Sequence, residues 1–227
     1  MKWNNKFTYP KSTRSIVNGS RHYNLDGSNL PSVTTILKAT QSEEDKAGIA
    51  AWKERVGHKE AERIKNEAAN RGSSMHSYIE QFLLGKFNLD LLDEDNKSKK
   101  MAVEIIDNGL KNKLSEIWGT EATVYYPGKY AGTTDCIGIY EGKETILDFK
   151  QSNKPKKQEF ILDYLLQGSA YSLAHNTVYN SRITQVAILI CTVDGLFQDF
   201  KIEGNELINF QNQFLEKVEQ FYHQLRK

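Results

Sequence analysis

Tyr130-Ala131-Gly132-Thr133-Thr134-Asp135-Cys136-Ile137-Gly138-Ile139-Tyr140, then Glu141-Gly142, then Lys143-Glu144-Thr145-Ile146-Leu147-Asp148-Phe149-Lys150, is the stretch that decides the fold. Two runs rich in β-branched and aromatic residues are separated by two residues, the second a glycine able to take positive φ. That pattern spells a hairpin. With a two-residue loop Tyr140 faces Lys143. Counting back sets Asp135 opposite Asp148, and Thr133 opposite Lys150. Residues two apart share a strand face, so Asp148 and Lys150 lie beside Ile137 and Ile146. Two carboxylates facing each other next to isoleucines repel and lose hydration. A divalent cation between them removes the conflict, and the adjacent lysine supplies positive charge or handles a proton. Two alternatives stay open: an exposed face on which Lys150 simply neutralises the aspartates, and a three-residue loop, which would put the aspartates on opposite faces.

Downstream of the hairpin, Pro155 opens a helix through about Ala174. The apolar run Ile183 to Thr192 reads as a central strand, Phe197 to Ile202 as another strand, and Glu206 to Leu225 as a terminal helix. Upstream, Thr123 to Tyr126 is a strand. Met101 to Ile117 reads as a helix with Val103, Ile106, Leu110 and Leu114 on one face. Asn88 to Lys100 reads as a loop or linker. Lys59 to Asn70 is helical, and Arg71-Gly72-Ser73 restarts a helix that runs to Leu84 and stops at Gly85. Ser42 caps a helix carrying Ile49, Ala50, Trp52 and Val56, and Ser32 caps a short one over Val33 to Lys38. Arg21 to Asn24 is a strand ended by the turn Asp26-Gly27-Ser28, and residues 1–20 are loosely structured. This order predicts an α/β chain with one mixed sheet flanked by helices. We divide it into an N-terminal helical part (1–118) and a sheet-bearing core (119–227) that form one compact domain.

The 227 residues contain 30 basic and 29 acidic side chains, so a polyanion partner would need locally segregated positive charge. Only Cys136 and Cys191 carry thiols, too few for an iron–sulfur cluster or a four-cysteine zinc site, and both are read as buried and free. No apolar run nears the ~20 residues of a membrane span, and residues 1–10 lack a secretory core. The chain is read as cytoplasmic, with a mature mitochondrial form as the other setting.

Asp135, the hairpin and Asp148-Phe149-Lys150 resemble the signature of the PD-(D/E)xK nuclease superfamily. Arg71-Gly72-Ser73-Ser74-Met75-His76-Ser77-Tyr78-Ile79-Glu80 is similar to the histidine-bearing helix of its RecB-like branch, and Gln167-Gly168-Ser169-Ala170-Tyr171 to its Gln-x-x-x-Tyr motif. Leu30-Pro31-Ser32-Val33-Thr34-Thr35-Ile36-Leu37 resembles an N-terminal motif of the mitochondrial genome maintenance exonucleases and related phage nucleases. The resemblance implies a restriction-endonuclease-like core and a DNA exonuclease acting on single-stranded or free ends. It also implies Mg²⁺ or Mn²⁺ held by Asp135, Asp148, the Phe149 carbonyl and His76. Lys150 would then position or deprotonate water, and Gln167 and Tyr171 would touch nucleic acid.

For His76 the alternative is packing beside Met75 and Ile79, and for Tyr171 a core role. Glu80, on the same helix face as His76, and Glu121 are accessory candidates. Lys154, Lys156 and Lys157 cluster near the predicted helix start, where positive charge opposes the macrodipole and an incoming phosphate would relieve it; a solvated face is the alternative. Trp52, Tyr78 and Phe82 read as packing residues before stacking ones. The competing functions are a structure-specific or restriction-like endonuclease and a non-cutting DNA-binding accessory protein, which would not need both aspartates and the lysine.

Overall fold

Ile137, Ile146, Ile188 and Ile190 belong to one buried cluster, while Cys136, Leu147, Leu189 and Cys191 belong to another. Adjacent strand residues thus face opposite sides of a sheet that is covered on both. The computed structural model describes residues 1–25, 27–86 and 96–226. The strands are β1 (Lys2–Trp3), β2 (Thr13–Val17), β3 (Ser20–Leu25), β4 (Ser28–Pro31), β5 (Leu114–Tyr126), β6 (Tyr130–Tyr140), β7 (Lys143–Ser152), β8 (Gln185–Thr192) and β9 (Phe197–Glu203). The α-helices are α1 (Val33–Ala39), α2 (Glu43–Val56), α3 (His58–Leu83), α4 (Lys97–Glu104), α5 (Leu162–Tyr179) and α6 (Gly204–Leu225).

The main sheet runs β1-β5-β6-β7-β8-β9, and β2-β3-β4 form a small antiparallel sheet. The main sheet is mixed: β7 and β8 are parallel, while β5, β6 and β7 form an antiparallel meander. The α5 crossover between β7 and β8 makes the parallel pair possible. Every residue of β8 is buried, as expected of a strand covered on both faces. On one face α6 presents Leu207, Phe210, Phe214, Val218 and Phe221 at helical spacing, each worth roughly 1.5–3 kcal/mol of burial. On the other face Met75, Ile79 and Leu83 of α3 pack with Leu147 and Phe149, and Tyr78 and Phe82 pack at the margin. Strand β5 crosses residue 118, and the α3 side chains share a core with β7.

The hairpin has the expected register from Tyr140–Lys143 to Cys136–Leu147, with Glu141 and Gly142 both at positive φ. The expected pairs Asp135–Asp148 and Thr133–Lys150 do not form, because β6 and β7 part beyond Cys136 and keep only their outer partners β5 and β8. The caps at Ser32 and Ser42 accept the backbone N–H groups of Thr35 and Asp45.

Other local expectations need correction. Residues 1–20 include β1, held by Trp3 Nε1 donating to the Leu83 carbonyl at 2.9 Å, and β2. No helix restarts at Arg71-Gly72-Ser73: α3 is continuous there, because Gly72 sits against the Gln151 side chain and Arg71 is held by Gln151. The helix read over 101–117 ends early. After α4 it widens into a π-helical segment, Ile105–Leu110, and the left-handed Asn112 (φ 63°) breaks it, so Leu114 to Ile117 are strand. The linker read over 88–100 lies outside the described residues up to 95, and α4, capped by Asn96, starts at Lys97. Asp26 of the predicted turn also lies outside the described residues. Helix α5 begins at Leu162, not at Pro155. Gln198 accepts from the Lys156 N–H at 2.8 Å and donates to its carbonyl at 2.9 Å, which takes both backbone groups away from a helix.

Candidate active site

The pairing of β6 with β7 stops at Cys136–Leu147. Beyond that point β6 stays paired with β5 and β7 stays paired with β8. The sheet therefore forks where Asp135 and Asp148 stand, and the backbone groups facing the fork need other partners. Asp135 supplies one: its Oδ2 accepts the Phe149 N–H at 2.7 Å. The fork also lets a side chain from α3 reach the strands. His76 Nδ1 stands 3.3 Å from Asp135 Oδ1, and its ring lies edge-on to Phe149.

Asp148 is 1% exposed and forms an ion pair with Lys150. Burial, reinforced by Asp135 and opposed by Lys150, pushes the Asp148 carboxyl up to about 6. At Asp135 burial also acts upward, but His76, Lys150 and the Phe149 N–H outweigh it and hold the carboxyl below its usual range. Burial works against the charge of Lys150 and His76, yet the facing carboxylates leave both raised. The two aspartates thus sit in unlike environments, one ionised by its neighbours and one resisting charge.

Glu121, given only an accessory place from sequence, lies at the lip of the same cleft. It stands in β5 between Thr120 and Ala122, whose partners Cys136 and Thr134 flank Asp135, and it has φ 47°. Partial desolvation, with Asp135 alongside, pushes its carboxyl up to about 7. Ligand atoms of His76, Glu121 and Asp135 lie within 4.8 Å of one another. Three oxygen- and nitrogen-bearing groups in such a cluster, with the reluctant Asp148 carboxylate beside them, fit a small hard divalent cation.

The cleft holds about 400 Å³ and is also lined by Lys150, Gln167, Tyr171, Ser73 and Gly132. Gln167 donates to the Tyr171 hydroxyl at 2.9 Å, and Tyr171, though buried, borders the cleft. The site also draws on residues that sequence reasoning did not single out. Arg14, Arg21 and Tyr23 of the small sheet form one wall, where Arg14 and the Tyr23 hydroxyl both meet the Thr133 hydroxyl at 3.1 Å. Only the tertiary docking of β2-β3-β4 brings them there; the short strand read over Arg21 to Asn24 was the one sequence signal, and it did not reach Arg14. Glu80 is half-buried, acts on Glu121 through its charge, and does not border the cleft. Lys154 and Lys156 line an adjoining hollow and Lys157 lines neither; all three precede α5 by five or more residues, so the helix-dipole argument for them fails.

No family model matches the chain. Its sequence relatives are exonucleases. They are forms of mitochondrial genome maintenance exonuclease 1: the human protein is 28% identical over 174 residues, 73% of this chain and 50% of that one. The Xenopus tropicalis protein is 26% identical over 214 residues, 89% of this chain and 60% of that one. The chain therefore spans about half the length of the relatives it matches. A crystal structure from Eubacterium rectale superposes with a TM-score of 0.45 at 17% identity, covering 66% of this chain and 64% of that one. No helix among the described residues is long and apolar enough to cross a membrane.

Proposed function

We propose that the chain is a divalent-metal-dependent deoxyribonuclease, an exonuclease that hydrolyses phosphodiester bonds at single-stranded or frayed DNA ends. The observation that carries this reading is the fork: it gathers Asp135, Asp148, Lys150 and His76 from three elements into one cleft. The names of the sequence relatives support the same class of activity. On this reading the N-terminal helical part supplies His76 and the sheet supplies the rest.

Asp135, Asp148, His76 and Glu121 would hold Mg²⁺ or Mn²⁺. Phe149 would add its carbonyl, since an extended residue directs its N–H and C=O to the same side and the N–H already points to Asp135. Held by these residues, such an ion would supply Lewis acidity toward the scissile phosphate and a bound water. Lys150, held by Asp148, orients the attacking water and offsets charge building on the phosphate. Arg14 and Arg21 favour a polyanion on the opposite wall despite the chain's balanced charge. Gln167 and Tyr171 face the nucleic acid beside them. This function belongs in a DNA-bearing compartment, the cytoplasm or, as the relatives' name suggests, the mitochondrion.

The test uses end-labelled linear single-stranded DNA and a circular single-stranded control, with Mg²⁺ or EDTA. Metal-dependent loss of the linear substrate alone, absent in Asp148→Ala, is the expected result. Cutting of the circle would replace the exonuclease with an endonuclease. Binding without cutting of either would leave an accessory protein.

A further inference from the structure

The segment that leaves the site carries an aromatic ring with no evident structural use. Phe160 is 66% exposed, and two residues on Leu162 is 47% exposed. Side chains left in water forgo the stabilisation that burial would give. Scattered exposed apolar residues are ordinary, so exposure alone decides nothing. Three further observations concern the segment that carries Phe160.

First, its backbone is fixed. Ser152 Oγ donates to the Lys154 carbonyl at 2.6 Å, Gln198 clasps Lys156 on both sides, the Phe160 N–H donates to the Lys157 carbonyl at 3.0 Å, and Ile161 is buried immediately afterwards. Second, the segment adjoins the cleft. Lys150 Nζ lies 5.2 Å from the centre of the Tyr164 ring, and Tyr164 lines a hollow of about 330 Å³ with Gln151, Asn153, Lys154 and Lys156. Third, the lining of that hollow contains two lysines and no carboxylate, whereas Glu159 and Asp163 stand outside it.

The geometry points to a second subsite, in which the strand leaving Lys150 passes its phosphates over Lys154 and Lys156 and stacks one base on Phe160. It rests on the nuclease reading above and adds the path of the substrate. A cationic groove with an aromatic face is the chemistry that grips single-stranded nucleic acid without reading its sequence, because every base has a π-face.

Binding of a labelled oligothymidylate to the intact chain in EDTA, followed by fluorescence anisotropy, tests this. Phe160→Ala should weaken binding about 10-fold, and Phe160→Trp should not. An oligonucleotide of equal length whose bases are removed should bind the wild type as weakly as Phe160→Ala binds the intact one, with no further loss in the variant. Lys154→Gln should lower the salt dependence by about one phosphate contact. If the wild type digests DNA with Mg²⁺ but Phe160→Ala binds as well as wild type, the subsite is wrong and the nuclease stands. If the wild type neither binds nor cuts DNA, both readings fall together.

Discussion

Arg71 Nε donates to Gln151 Oε1 at 2.9 Å, and Gln151 Nε2 donates back to the Ala68 carbonyl at 3.2 Å. Gln151 follows Lys150 directly, and Arg71 lies five residues before His76 on α3. Arg71 also reaches Asn153. The clasp fixes how far α3 stands from β7, and so where His76 meets Asp135. Gln151→Ala should weaken Mn²⁺ binding about 10-fold, at the low end for groups that orient metal ligands, with a smaller change in melting temperature than in metal affinity. Titration calorimetry with Mn²⁺ reads the first and a thermal melt the second. Unchanged affinity would show that His76 is held by the core alone.

Lys150 balances an aspartate that water hardly reaches. In metal-free buffer, Lys150→Ala should cost about 3 kcal/mol, because it leaves the Asp148 carboxylate buried without a counter-charge. Added Mn²⁺ should restore more stability to the variant than it adds to the wild type, since binding to the native state alone stabilises it. A variant that melts like the wild type with and without metal would remove Lys150 from the charge balance of the site.

Gly132 is glycine because of Tyr171. A Cβ there would lie 2.4 Å from Tyr171 Cε1. Gly132→Ala should cost about 1–3 kcal/mol by overpacking and should slow DNA cleavage by displacing the ring from the cleft. In a Tyr171→Ala background the same change should add little, because the clash is gone. Full additivity of the two melting shifts would refute the contact.

His175 gives the chain a pH dependence away from the site. Ile183 N–H donates to Asn176 Oδ1, and so does the Ser181 hydroxyl, which leaves Ser181 Oγ to accept from His175 Nδ1. His175 Nε2 then accepts from the Tyr9 hydroxyl. Phe7, Tyr9 and Tyr179 enclose the ring. Burial, helped by Lys6, lowers its pKa to about 4. Below the unfolded value of about 6.5 the unfolded chain takes up the proton and the native one does not. Stability is therefore lost as pH falls from about 6.5 to about 4, by on the order of 3 kcal/mol. Urea melts of His175→Gln should show a flatter pH dependence across that window than wild type, and parallel curves would contradict the assignment.

The hairpin and its register as far as Cys136–Leu147 were legible in the sequence because each rests on local chemistry: a glycine turn, a period of two, a count of residues. So were the caps at Ser32 and Ser42. What was not legible depended on distant partners. Gln198, over forty residues away, holds Lys156 out of a helix. Gly72 looks like a helix break until the Gln151 side chain beside it is known. The wall of Arg14, Arg21 and Tyr23 comes from a small sheet whose docking no periodicity reports. Glu121 carries a weak spacing signal, and only its position in β5 beside the partners of Cys136 and Thr134 brings it to Asp135.

The Glu141-Gly142 turn touches nothing in the cleft, yet it acts as a ruler for it. Asp135 lies six positions before Glu141 and Asp148 six after Gly142, about 20 Å of extended chain on each arm. One residue inserted at this remote, solvent-facing loop would turn one carboxylate to the wrong side. Surface hairpins usually tolerate such drift in length. Here a two-residue loop is as exacting a requirement as the aspartates themselves, and a screen of loop insertions would find its most damaging hits at the end of the hairpin farthest from any substrate.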